Sequence, residues 1–323
     1  MKDLKDQFRN ELEKEFSVDW EQMDVLKKFL IYKASDLKID CDVSKDAIES
    51  YKRYNYLQNK GVSEKLQKGS NCKYEIPIDN HIFRGDTMTS GWWFVQQVLA
   101  FYTKDEYPGI KVNREKANLL ELKDKVTIEN LENNLKIDGE KKSELLEAFQ
   151  SFLECVHSVG NMIMVPSYFN AERAGNYAEW DCWDITLHAI CSWFKNNDVK
   201  KVEWKKIDVN KDKWLIKLFS KGSSEVKINS VRECKYWLSQ YFNNHCDFIQ
   251  KNFLQDYCAN GYVKSFINEE IITETNAEIF FNKCKQLYKP NYRSDNGTQD
   301  MINYLNNFAD RTKLREQRIN GEI

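Results

Sequence analysis

Chain breakers are scarce: four prolines and twelve glycines stand among 323 residues. A fold built from many short hairpins needs more of both at its turns, so the scarcity favours long helices. An excess of one charge sign is missing too. Lys and Arg number 48 against 50 Asp and Glu, a formal net charge of −2. No global field therefore calls for a nucleic acid or an anionic membrane, and any such binding needs a local patch. There is no run of about 18 apolar residues, which excludes an ordinary transmembrane helix. The opening MKDLKDQFRNELEKEF is charged and has no apolar h-region, so no signal peptide is expected and the chain reads as cytoplasmic. The nine cysteines form no CxxC pair and, with the four histidines, show no metal-ligand spacing. They read as reduced, buried thiols rather than a disulfide framework.

What is present is material for a core. Hydrophobic residues make up 41% and aromatic residues 13%, which excludes intrinsic disorder. Apolar spacing near three to four predicts helices over 3–34, 44–59, 88–102, 141–156, 181–194, 230–258, 276–288 and 298–318. Asp86 or Thr87 is expected to cap the helix over 88–102. Residues 74–78 suit an edge strand, and 199–228 suit a small sheet or hairpin. The expected fold is mainly α, a compact multi-helix domain with a minor β element. An N-terminal helical arm spans 1–70 and a main helical domain spans 71–323, or the two form one domain.

Residues 157–184 read HSVGNMIMVPSYFNAERAGNYAEWDCWD. Polar groups close to apolar ones need partners and are costly without them, so this segment reads as the wall of a site. Its candidates are His157, Asn161, Asn170, Arg173, Asp181 and Asp184, with Arg84 and Asp86 upstream. Arg offers a planar fork for phosphate or carboxylate. Acids at helix starts suit Mg²⁺ and, through it, phosphate. His157 is the candidate catalytic acid/base. Each has a plainer reading: capping for Asp86, salt bridges for Arg84 and Arg173, backbone hydrogen bonds for His157 and Asn161.

The expectation is that helix 88–102, loop 157–180 and helix 181–194 converge. These eight residues would then line one pocket for a phosphate-bearing small molecule, a nucleotide with Mg²⁺ among the candidates, hydrolysis being the first reaction to consider. Two other readings stand beside it: a non-catalytic protein- or RNA-binding factor in phage–bacterium conflict, and a purely structural polar cluster. For RNA the candidate surface is 195–221, with nine Lys against four acids and Trp204, Trp214 and Phe219 interleaved. The plainer reading there is a solvated face whose rings point to the core. His188, on a buried-looking helix, reads as a satisfied core histidine. No membrane partner is expected.

The motif run resembles an uncharacterised bacterial domain-of-unknown-function family. The matching residues are His157-Ser158-Val159-Gly160-Asn161, Val165-Pro166, Phe169-Asn170 and Asp181-Cys182-Trp183-Asp184-Ile185-Thr186-Leu187. Arg84-Gly85-Asp86-Thr87-Met88 and Phe248–Asp256 look similar to further parts of it, so the likeness covers roughly 75–320. It implies a bacterial cytosolic protein and no particular activity. Gly85-Asp86-Thr87 alone also resembles the metal-binding Asp-Thr pair of all-α ADP-ribosyl hydrolases, without the remaining ligands of that family.

Overall fold

The computed structural model describes residues 22–34, 67–68, 74–78, 81–89, 127–135, 139–167, 182–221, 225–287 and 295–323. Some single positions between them, such as 91, 94–95, 98–99, 169 and 172–173, are described as well. Of the helix expected over 3–34, residues 3–21 apart from Lys14 lie outside the described residues, as do the helix expected over 44–59 and residues 103–126. Mainly α with a minor β element is the architecture.

The first half is built around two long helices. Helix α1 (Val25–Ala34) starts under Asp24, whose Oδ1 accepts the Leu26 and Lys27 amides. Its Oδ2 accepts the Ile128 amide at 3.0 Å, at the start of α2 (Ile128–Asn134). One carboxylate thus satisfies orphan donors of two helices. Helix α3 (Gly139–Cys155) buries Leu145, Leu146, Phe149, Phe152 and Leu153 on one stripe. It packs along α9 (Asp295–Asn320), which buries Met301, Leu305 and Phe308. The Phe152 ring lies 5.3 Å from Phe94 and 5.0 Å from Phe308, an aromatic layer that ties α3, α9 and the helical residue Phe94 together. The chain leaves α3 through a 3₁₀ turn, Val159–Asn161, that α9 covers closely. A Cβ on Gly160 would stand 2.0 Å from the Thr312 carbonyl oxygen, so only glycine fits.

Four strands pair antiparallel in chain order: β1 (Gln67–Lys68), β2 (Tyr74–Ile78), β3 (His81–Thr87) and β4 (Met162–Pro166). This corrects the expected start of helix 88–102. Asp86 and Thr87 do not cap a helix; they pair with Ile163 and Met162. Described helix begins at residue 94, after Gly91 turns the chain at φ +73°. The physical reason is MIMVP, an apolar run that periodicity leaves ambiguous and that supplies β3 with a partner. All five residues of β4 are buried.

The second half is organised on α4 (Trp183–Asn196), buried without interruption from Trp183 to Phe194. Such a helix sits inside the core rather than on its rim. Within residues 199–228 the expected small sheet is confined to one short hairpin, and helix stands where the rest of it was expected. These residues form a 3₁₀ turn, helix α5 (Lys213–Leu218) and a two-residue ribbon of β5 (Ser220–Lys221) with β6 (Glu225–Val226). Burial of Trp214, Leu215 and Leu218 along α4 makes KWLIKL a helix. Buried Asp212 precedes it, accepting Trp193 Nε1 at 3.0 Å and pairing with Lys235 at 2.7 Å. Helices α6 (Ile228–Tyr241) and α7 (His245–Lys251) follow. A three-stranded sheet of β7 (Cys258–Ala259), β8 (Tyr262–Lys264) and β9 (Ile271–Ile272) comes next, then α8 (Ala277–Leu287). Its first hairpin turns on Asn260-Gly261, with φ +52° and +76°, the two-residue turn that the Asn-Gly pair favours. Among the described residues no helix is long and apolar enough to cross a membrane.

Candidate functional site

The residues directly after β3, the turn after α3 and the first turn of α4 meet. The Asn161 side chain accepts the Thr89 amide at 3.1 Å and donates to the carbonyls of Thr89 at 2.8 Å and Val156 at 2.6 Å. Its own carbonyl accepts the Met88 amide at 2.8 Å. Arg173 donates through Nη2 to the Met88 carbonyl at 2.9 Å and through Nη1 to Thr186 Oγ1 at 3.1 Å. Its guanidinium lies over Phe169 and Trp183, 5.7 and 5.3 Å from the ring centres. Asn161 and Arg173 have no exposed surface at all. These two side chains are spent on the chain's own backbone, a hydroxyl and two rings.

The other expected residues lie around this network. Arg84 and Asp86 occupy alternate positions of β3, both half-buried, opposite Val165 and Ile163. Asp86 Oδ1 accepts the amide of Thr87 at 2.9 Å. His157 stacks on Phe29 of α1, with ring centres 5.6 Å apart. Asp184 is fully buried, and its carboxylate accepts the Ile185 amide at 2.8 Å and the Phe266 amide at 2.7 Å. Desolvation raises its pKa to about 6, against the pull of those two amides and of Arg311. Asn170 and Asp181 lie outside the described residues.

A cavity of about 290 Å³ lies in a different place, between α4 and the three-stranded sheet. Its floor is His188, Cys191, Ser192, Val263 and Ile272; its rim is Lys195, Tyr262, Glu274 and Thr275. The i, i+4 and i+7 spacing on α4 sets His188, Ser192 and Lys195 along one face. His188 is 6% exposed and Ser192 2%. His188 Nε2 and Ser192 Oγ make no hydrogen bond among the described residues. Burial pushes the His188 pKa down to about 4, with Lys195 acting in the same direction, so the ring is neutral near pH 7. At the rim, Lys195 Nζ stands 3.7 Å from the centre of the Tyr262 ring. Glu274 accepts Trp214 Nε1 at 2.6 Å, and Trp214 in turn meets His188 edge-on at 5.1 Å.

None of the cavity residues was singled out as a binder by sequence reasoning. His188 was read as a satisfied core histidine, and the structure shows Nε2 without a partner among the described residues. The available signal was the stripe of polar residues on an otherwise buried helix. The second strand of the wall was announced only by Asn260-Gly261.

The rings of the basic segment face inward. Trp214 and Phe219 are buried, and half-buried Trp204 packs edge-on against His81 and Tyr236 at 5.4 and 5.3 Å. Some of its lysines are paired, Lys201 with Asp198 and Lys206 with Glu203.

Among the described residues, one group of metal-ligating atoms stands close together: Cys182 Sγ, an Asp184 carboxylate oxygen and Cys284 Sγ, all within 4.8 Å of one another and all buried. Asp86 and His157 are not part of it. Comparison with protein-family models, curated proteins and solved structures finds no match.

Proposed function

We propose that this protein binds a small anionic molecule, a phosphate- or carboxylate-bearing metabolite, in the cavity between α4 and the sheet of β7, β8 and β9. The observation that carries the reading is the floor. Two polar atoms, His188 Nε2 and Ser192 Oγ, are buried without a partner among the described residues. An unsatisfied buried polar group costs about 1–3 kcal/mol, and native folds keep few of them without a reason. A ligand that hydrogen-bonds both removes that cost. Lys195 at the rim supplies the cationic contact, and its ammonium is a point charge suited to an anion of varied geometry. The volume sits at the small end of ligand sites and takes one compact metabolite rather than a dinucleotide.

On this reading the polar run from His157 to Asp184 serves the scaffold. Arg173 is fully enclosed and already engaged, which supports a structural role for it. An RNA partner for 195–221 would need presented rings, and Trp214 and Phe219 are buried.

The test is a thermal-shift screen of organic phosphates, carboxylates and nucleotides on the full chain, repeated on Lys195→Ala and Ser192→Val. A ligand present at 100 times its dissociation constant adds about 2.7 kcal/mol to apparent stability. The expected result is a hit whose shift shrinks in both variants. A hit unchanged in both would place the ligand elsewhere.

A further inference from the structure

We propose that Cys182, Asp184 and Cys284 form a binding site for a thiophilic divalent cation of the zinc type. Cys182 is the N-cap residue of α4, Asp184 stands in its first turn, and Cys284 arrives from α8, about a hundred positions downstream. Cys182 and Asp184 have no exposed surface and Cys284 has 1%. No other group of three such donors stands within mutual reach among the described residues.

The donor geometry suits the ion. Tetrahedral zinc holds sulfur at about 2.3 Å and carboxylate oxygen at about 2.0–2.2 Å, which places its ligand atoms roughly 3.5–3.8 Å apart. The three atoms here already lie within 4.8 Å of one another. Two sulfurs and one oxygen select zinc or a similar borderline ion over magnesium, which demands oxygen ligands and keeps its waters. The Asp184 carboxylate is held in place by the Ile185 and Phe266 amides, the outer-shell support that orients a ligating carboxylate.

A thiol that coordinates a divalent cation is deprotonated outright. Each thiol proton leaves to solvent as its S–metal bond forms, with no change of oxidation state. Two thiolates and a carboxylate around one dication leave a net negative centre, which the positive end of α4 favours. This site is independent of the cavity proposal, since it uses none of the residues that line the cavity.

The test uses the full chain, reduced, stripped with a chelator, and titrated with Co²⁺ alone. The expected result is saturation at one equivalent, with the intense near-ultraviolet band of thiolate-to-cobalt charge transfer. Zn²⁺ should abolish that band by displacement. Cys284→Ala and Cys182→Ala, which shorten a buried side chain without adding polarity, should each weaken or remove the band. If a variant does not fold, the parent still decides. Absence of the charge-transfer band in the reduced parent overturns the proposal. So does a Cys182–Cys284 disulfide found by peptide mapping of the native protein under denaturing, non-reducing conditions. A band that survives in the Cys182→Ala/Cys284→Ala double variant overturns it as well.

Discussion

Helix α4 buries polar side chains on two faces, and the faces follow opposite rules. On one, Thr186 Oγ1 accepts Arg173 Nη1, and Arg173 reaches on to the Met88 carbonyl. On the other, His188 and Ser192 line a cavity, and their Nε2 and Oγ have no partner among the described residues. The first face is a joint: each polar atom named there ties two remote segments. The second resembles a socket waiting for a partner. The same comparison holds across the molecule. Buried Arg315 donates to the carbonyls of Asn252, Gly160 and Met162 and so locks α9 onto the turn after α3. Burial of charge therefore says little about ligands; burial without a partner says more.

Breaking the joint should have the larger consequences. Gly160→Ala would drive a methyl group into the Thr312 backbone, and neither the turn nor α9 can yield without losing the Arg315 bonds. We expect no cooperative unfolding transition for that variant by circular dichroism. A normal melt would show that α9 does not press on the turn. Next comes Asn161→Ala. It strips partners from the Thr89 amide and from the Thr89 and Val156 carbonyls. Urea denaturation should show a loss of about 3–5 kcal/mol.

The socket has its own signature in pH. His188 has a folded-state pKa of about 4 against an ordinary 6.5, so between those values the unfolded chain binds the proton and the folded chain does not. Its contribution to stability is therefore intact above pH 6.5, declines as pH falls toward 4, and is level below that. The full swing is about 3 kcal/mol. A His188→Asn variant should flatten that part of the stability–pH curve. A curve of unchanged shape would mean that another group titrates there.

A pair of small substitutions sharpens the contrast between the faces most directly. Thr186→Val removes the acceptor for Arg173 and should cost about 1.5–3 kcal/mol. Ser192→Ala removes a buried hydroxyl that has no described partner and should stabilise the ligand-free protein by about 1–3 kcal/mol. Equal losses in the two would erase the distinction.

Much of the fold was legible in the chain. Leu145, Phe149 and Phe152 carry the helical period of α3, and the stripe of α9 is as clear, because those helices bury one face against one neighbour. The errors fell where the pattern is too short or too apolar to show a period. MIMVP has apolar residues on every side, so nothing in its pattern distinguishes strand from helix or loop. KWLIKL was expected in a hairpin and is a helix, because α4 offers a place for Trp214, Leu215 and Leu218 together. The polar motif was visible as unusual, and the meeting of Met88, Asn161 and Arg173 shows why such residues stand in an apolar run.

By itself the amino-acid order settled the helical class, the scarcity of turns and the presence of a core rich in aromatic rings, since these follow from local spacing and composition. It could not settle which buried polar groups would find partners. Arg173 and His188 look alike as isolated polar residues in apolar company. One meets a carbonyl and a hydroxyl brought from remote segments, and the other meets a hollow. Cys182, Asp184 and Cys284 likewise have no ligand spacing along the chain and share a centre only because α8 packs against α4. Pairing of buried groups is decided by tertiary contact, because the partner of each comes from a part of the chain that periodicity does not connect to it.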